Sequence, residues 1–352
     1  CSLIGGIMTE IKKIHGGANW NNPEDSFTQT FYEQNLSQFW RAEEISLQID
    51  LGVWHRLPRN IQWAYAQNLA FLTFLDTKQG DAGVNIIARS MPEDAHQRKA
   101  VLNFMAAMEN AVHAKSYSNI FMTYMSTEDI DALFDWMENN DHAQHLLTLI
   151  SDVYNDLDKV ISNRDFPEVF GGIDNRQYEI KQWKAMVASV FLESWLFYSG
   201  FYYPLFYYGQ GKLTQAGEII NLILRDESVH GLYIGNLAQE LFNKFTEEEQ
   251  EELESWMEEY FYEIYESHCL LIHDIYDEVD LSHDVKIFAR YNANKALMNL
   301  GFEPQFEYEE VNPVVLNGLN TESKTHDFFS MKGNGYQKMK SEPLKNSDFY
   351  FE

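Results

Sequence analysis

The sequence predicts an almost all-α protein, and three observations predict it. Apolar residues recur at helical spacing nearly everywhere, no long window alternates with period two, and many periodic stretches run for roughly 20 residues or more before a short loop. Such lengths and loops imply a helix bundle, with ligand sites between facing helices.

The helical period places elements at about 36–50, 59–80, 93–124, 127–139, 141–163, 175–208, 213–243, 247–279 and 283–300. Pro92 stands where a first helical turn tolerates proline, so the third element is expected to begin beside it. "NRDFPEVFGG" closes the fifth as a loop, by its proline and paired glycines. The sixth contains "MVASVFLESWLFYSGFYYPLFYY", Met186 to Tyr208, an apolar and aromatic run with one carboxylate, Glu193. Glu193, Gly200 and Pro204, with no strongly basic flanks, favour a central helix of a soluble protein over a membrane span. "GQGK" at Gly209 to Lys212 separates the sixth element from the seventh and matches neither a P-loop nor a dinucleotide fingerprint. Thr246 followed by Glu249 opens the eighth as a capping box.

After about Gly301 the chain turns polar, is broken by Pro and Gly, and loses the helical period. Three regions are therefore expected: an N-terminal extension at 1–19 with Met8 as the natural start, a helical domain at 20–300, and an extended tail at 301–352. Phe349, Tyr350 and Phe351 at an otherwise polar end suggest a docking peptide, an idle end being the alternative.

Composition narrows the function. Lys+Arg is 26 against Asp+Glu 54, a formal net charge of -28, so the phosphate field of a nucleic acid or an anionic membrane would repel most of this surface. The N-terminus lacks the basic region and apolar core of a secretory signal. The two cysteines, Cys1 and Cys269, are too few for a disulfide framework or a thiolate metal site, which fits a reducing cytoplasmic setting. Any metal must therefore use oxygen and nitrogen ligands.

Two carboxylate-histidine pairs supply such ligands. Glu109 and His113 in "ENAVHAKSY" and Glu227 and His230 in "RDESVHG" are spaced to share a helix face, so each pair could grip one ion. Asp76 lies 33 residues before Glu109, and Glu193 lies 34 before Glu227, each a lone carboxylate inside an apolar helix. Alone, Asp76 or Glu193 would read as a hydrogen-bonded core carboxylate, and Glu227 with His230 as a solvated face. Together they match the ligand arithmetic of a four-helix di-metal carboxylate site. Four carboxylates and two neutral imidazoles balance two divalent cations, whereas without metal some of the carboxylates would have to take up protons. The donor set suits iron or manganese and does not choose between them. Tyr117, one turn after His113, leans toward the same site.

At these residues the sequence resembles the radical-generating small subunit of class Ib ribonucleotide reductase. The matching segments are "LDTKQGD", "ENAVHAKSYSNIF", "SVFLESWLFYSGFYYPL", "LRDESVHG", "RYNANKALMNLGFEP" and "HDFFSMKGNGY", within a span from about Trp20 to the C-terminus. The resemblance implies a ferritin-like fold and a homodimer. It implies that Asp76, Glu109, His113, Glu193, Glu227 and His230 hold two manganese or two iron ions, and that Tyr117 carries a stable tyrosyl radical. It also implies that Trp40 and Asp226 pass oxidising equivalents outward through His113, and that Tyr350 is a mobile relay on a tail that docks on the large subunit. A flavodoxin-like activator is the further partner it implies, supplying the oxidant for a dimanganese site. Trp40 also reads as a core anchor.

One feature departs from the resemblance. Many family members place two residues between the first Glu and its His, whereas "ENAVH" places three and puts Asn110 at the usual position. Glu109 is expected to reach the metals through a local widening of the helix. Two other readings use the same bundle: a ferritin-like oxidase acting on a small bound substrate, and a metal-storage or purely structural protein.

Overall fold

The computed structural model describes residues 16–319, and among them the chain is helical with no strand. The helices are α1 (Thr28–Ser37), α2 (Leu51–Trp54), α3 (Arg59–Ala82), α4 (Val84–Ser90), α5 (His96–Met108), α6 (Lys115–Tyr124), α7 (Thr127–Asn139) and α8 (Asp141–Asp165). They continue as α9 (Pro167–Phe170), α10 (Asn175–Phe191), α11 (Phe197–Gly200), α12 (Tyr202–Tyr208), α13 (Thr214–Phe242), α14 (Glu247–Tyr276), α15 (Ser282–Asn299) and α16 (Pro313–Gly318). Two π-helical turns interrupt this series, Glu109–Ala114 between α5 and α6, and Leu192–Leu196 between α10 and α11.

Local capping chemistry sets many of the ends. Ser126 accepts from the Asp129 amide at the start of α7, Asn140 from the Ala143 amide at α8, and Asp174 from the Arg176 and Gln177 amides at α10. At α14 the expected capping box is present: Thr246 Oγ1 accepts from the Glu249 amide and the Glu249 carboxylate from the Thr246 amide. Glu247, Glu248 and Glu249 also place negative charge at that helix's positive end.

The layers close around the run that looked most apolar. Residues 185–205 are buried throughout, packed by α3, α8, α13 and α15. Trp183, Trp195, Tyr198, Tyr202 and Tyr203 are among the largest fully buried side chains, and burying each removes on the order of 2–3 kcal/mol worth of apolar surface from water. Among the described residues no helix is long and apolar enough to cross a membrane.

The structure corrects several expected elements. The stretch 36–50 is not one helix: α1 ends at Ser37, and Gln38 and Trp40 turn inward to hydrogen-bond Asp226. Tertiary partners outweigh helical period there. The third element begins at His96, because Pro92 sits in the preceding turn and its carbonyl accepts from the Ala95 amide. Ahead of that turn lies α4, separated from α3 at Gly83. The "NRDFPEVFGG" loop contains α9, stopped by Gly171 at φ 86°.

Residues 301–312 carry no helix, and a short helix follows them where an extended tail was expected. Asn312 caps α16, whose N1 position is Pro313, and α16 packs on α12. A Cβ on Gly318 would lie 2.2 Å from the Leu205 carbonyl oxygen, and one on Gly209 would lie 1.9 Å from that of Val314, so both glycines permit the close approach. Asn221 Nδ2 donates to the Gly318 carbonyl at 3.0 Å. The expected docking peptide with Tyr350, and Met8 as a start, lie outside the described residues.

Candidate metal centre

Four helical segments turn the six expected residues into one buried space. α3 brings Asp76, the first π turn Glu109 and His113, the second π turn Glu193, and α13 Glu227 and His230. All six are 0 % exposed. They form two overlapping groups, Asp76 with Glu109, His113 and Glu227, and Glu193 with Glu109, Glu227 and His230. Within each group one donor atom per residue lies within 4.8 Å of the others. Glu109 and Glu227 belong to both groups, as carboxylates shared between two ions would.

Both imidazoles aim Nδ1 at this space. His113 Nδ1 is 2.9 Å from Glu227 Oε1, 3.2 Å from Glu109 Oε2 and 4.0 Å from Asp76 Oδ1. His230 Nδ1 is 3.0 Å from Glu109 Oε1, 3.2 Å from Glu227 Oε2 and 3.6 Å from Glu193 Oε2.

The π turn sends Glu109 and Asn110 to different places. Its wider backbone loop absorbs the extra residue of "ENAVH" and carries Glu109 round to both histidines. Asn110 points away and donates to Asp81.

Charge in this space is poorly compensated by protein alone. Burial, and then the neighbouring Glu109, pushes the Asp76 carboxyl well above its ordinary value, and burial with Glu109 and Glu193 does the same to Glu227. Burial also raises Glu109, but His113 and His230 outweigh it and hold that carboxyl far below the usual range. Burial opposes a charge on both imidazoles, and the surrounding carboxylates outweigh it and raise both well above the ordinary histidine value. Asp76 Oδ1 and Oδ2 and Glu193 Oε2 are buried without a hydrogen bond, and the two buried Glu227 oxygens face only the imidazole Nδ1 atoms. Orphaned acceptors of this kind, facing two imidazole Nδ1 atoms, fit a pair of divalent cations.

Outward from the cluster runs a polar chain. His113 Nε2 is 2.9 Å from Asp226 Oδ2, which also accepts from Trp40 Nε1 at 2.8 Å, while Gln38 Nε2 donates to Asp226 Oδ1 at 2.9 Å. Trp40 is 2 % exposed and stacks near His113, with ring centroids 6.2 Å apart. Tyr117 is fully buried and its hydroxyl has no hydrogen-bond partner. Burial, then the carboxylates of Asp76 and Glu227, push its phenol well above the ordinary value, so it is held neutral.

Sequence reasoning missed Gln38, Gln79, Tyr154 and Ser189. Gln79 donates to Glu193 and Ser189, and Tyr154 donates to Gln79. The available signal was position: Gln79 is one turn beyond Asp76 on a buried face of α3.

Long helices that turn four carboxylates and two histidines into a buried interior define a ferritin-like di-metal carboxylate protein. Comparison with known proteins gives the family. The model described as "Ribonucleotide reductase, small chain" matches residues 17–313. The chain is 58% identical over 342 residues to the ribonucleoside-diphosphate reductase subunit beta of Bacillus subtilis (strain 168), covering 97% of this chain and 98% of that protein. It is 37% identical to the ribonucleoside-diphosphate reductase 2 subunit beta of Escherichia coli (strain K12), covering 95% and 97%. The crystal structure of Streptococcus sanguinis dimanganese(II)-NrdF superposes with a TM-score of 0.77 at 39% identity, covering 87% of this chain and 100% of that one. This chain belongs to the ribonucleotide reductase small-chain family.

Proposed function

We propose that this chain is the radical-generating subunit of a class Ib ribonucleoside-diphosphate reductase, in which Asp76, Glu109, His113, Glu193, Glu227 and His230 hold two metal ions. The observation that carries the reading is the pair of overlapping ligand groups sharing Glu109 and Glu227, beside a buried neutral tyrosine. When bound, the metal pair supplies the oxidising equivalent. Manganese is favoured by the S. sanguinis relative, described as a dimanganese(II) protein, and iron suits the same donors.

The chain's own residues then have distinct roles. Tyr117 gives up one electron and its phenolic proton, and the packed interior keeps water from the resulting tyrosyl radical. Asp226 orients His113 through Nε2, leaving Nδ1 for the metal, and joins that imidazole to Trp40. The hole passes along this path and, by way of Tyr350, to a large subunit that reduces the ribonucleotide. The reading assigns a homodimer, a cytoplasmic setting, a flavodoxin-like activator for the manganese form and a docking role for the C-terminal end.

Two measurements test it. Metal analysis after loading is expected to return two ions per chain, where storage would return many and a purely structural bundle none. Electron paramagnetic resonance of the oxidised protein is expected to show a tyrosyl signal that Tyr117→Phe abolishes without changing metal content; a signal surviving in that variant would remove Tyr117 from the mechanism.

A further inference from the structure

The two lone carboxylates, Asp76 and Glu193, occupy corresponding places in the two ligand groups, yet their surroundings differ. Neither oxygen of Asp76 has a hydrogen bond. Glu193 Oε1 accepts from Gln79 Nε2 at 2.7 Å, and only Oε2 is left without a partner. That free oxygen is the one 3.6 Å from His230 Nδ1.

The amide that makes this difference is itself locked. Gln79 is 0 % exposed, and its Nε2 also donates to Ser189 Oγ at 2.7 Å. The two ends of an amide are nearly alike in shape, so its neighbours decide which end faces a carboxylate. Here Glu193 Oε1 can only accept, so it draws the NH2 toward itself, and the Tyr154 hydroxyl holds that orientation by donating to the carbonyl Oε1 at 2.5 Å. Gly83 leaves room for the contact: a Cβ there would lie 2.5 Å from Gln79 Oε1 and 2.8 Å from Tyr154 Cε2.

We propose that Gln79 is a positioning residue that restricts Glu193 to one-oxygen ligation, making the two metal positions unequal, and that Tyr154 fixes the amide in the orientation this requires. The inference rests on the di-metal reading above. Asp76 has no such restraint and is free to offer both oxygens. The amide stays neutral throughout, so it orients the carboxylate without adding charge to the site.

The test is a manganese(II) titration of the full chain followed by calorimetry and electron paramagnetic resonance, with cobalt(II) absorption as a reporter of coordination. Gln79→Leu keeps the volume and removes the donor. It is expected to change the affinity of one ion by roughly 10- to 100-fold and to alter one cobalt spectrum, leaving the second ion near its wild-type affinity. Tyr154→Phe, which removes a single oxygen and keeps the ring, is expected to move the same ion less, and the double variant to match Gln79→Leu alone. If Gln79→Leu fails to fold, the Tyr154→Phe shift at one ion carries the test by itself. Unchanged titrations, or equal and additive losses at both ions, would overturn the proposal while leaving the di-metal reading intact. Fewer than two ions in the wild-type chain would overturn that reading and this proposal together.

Discussion

Trp40 and His113 meet on a single oxygen: Asp226 Oδ2 lies 2.8 Å from the indole nitrogen and 2.9 Å from the imidazole Nε2. With Gln38 on the other oxygen, every group around this carboxylate is a donor. Asp226→Asn replaces one acceptor with an NH2 that must face a donor, so the chain from Trp40 to His113 breaks although the shape is kept. The expected result is a metal-loaded protein that still forms its radical but turns over with the large subunit at least about a hundredfold more slowly. Comparing radical yield with turnover in the same preparation checks this, and normal turnover would show that the hole takes another route.

The π turn at Glu109–Ala114 assigns different work to adjacent residues. Glu109 contacts both imidazoles, whereas Asn110 bonds Asp81 outside the cluster. Asn110→Ala is therefore expected to bind two ions as the wild type does. Glu109→Ala, which removes a carboxylate common to both ligand groups, should weaken both ions by roughly 100-fold or more. Inductively coupled plasma measurements after dialysis distinguish the two, and metal loss from the asparagine variant would contradict the placement.

Much of this centre was legible in the chain because its candidate ligands carry their spacing with them. Asp76, Glu193 and the two carboxylate-histidine pairs stand out as polar residues at helical intervals in apolar helices, and α7 begins and ends where Ser126 and Asn140 signal locally. The π widening was readable only as a mismatch in "ENAVH", and the second widening around Glu193 left no such mark. Residues fixed by tertiary contact were hidden. Trp40 leaves the helical period to reach Asp226, Tyr154 meets Gln79 across 75 positions of sequence, and α16 depends on two glycines more than a hundred residues apart.

Metal uptake should be tied to proton release. His113, His230, Asp76 and Glu227 all have values raised well above ordinary, which favours their protonated forms in the metal-free protein. Ligation needs neutral imidazoles and ionised carboxylates, so binding must expel those protons, and apparent affinity should rise with pH. Calorimetry in buffers of different ionisation enthalpy is expected to find net proton release as the metals bind. A release near zero would mean that the metal-free site is already deprotonated.

His268 gives the fold a pH dependence separate from the metals. It is buried on α14, stacked at 5.8 Å on Phe71 and edge-on at 6.5 Å to Trp195, and its Nδ1 has no hydrogen bond. Burial alone lowers its value from 6.5 to about 3, so the folded chain keeps this ring neutral. The unfolded chain protonates it near 6.5, and between that value and about 3 the unfolded state therefore binds more protons. Stability from this residue is complete above pH 6.5 and is lost as pH falls, by up to about 1.4 kcal/mol per unit, until the folded ring itself protonates near 3. His268→Phe retains an aromatic ring of similar size and removes the titration. Chemical denaturation of the metal-free proteins across this range should show the variant gaining on the wild type as pH drops, and parallel curves would mean that the buried ring is charged in the fold.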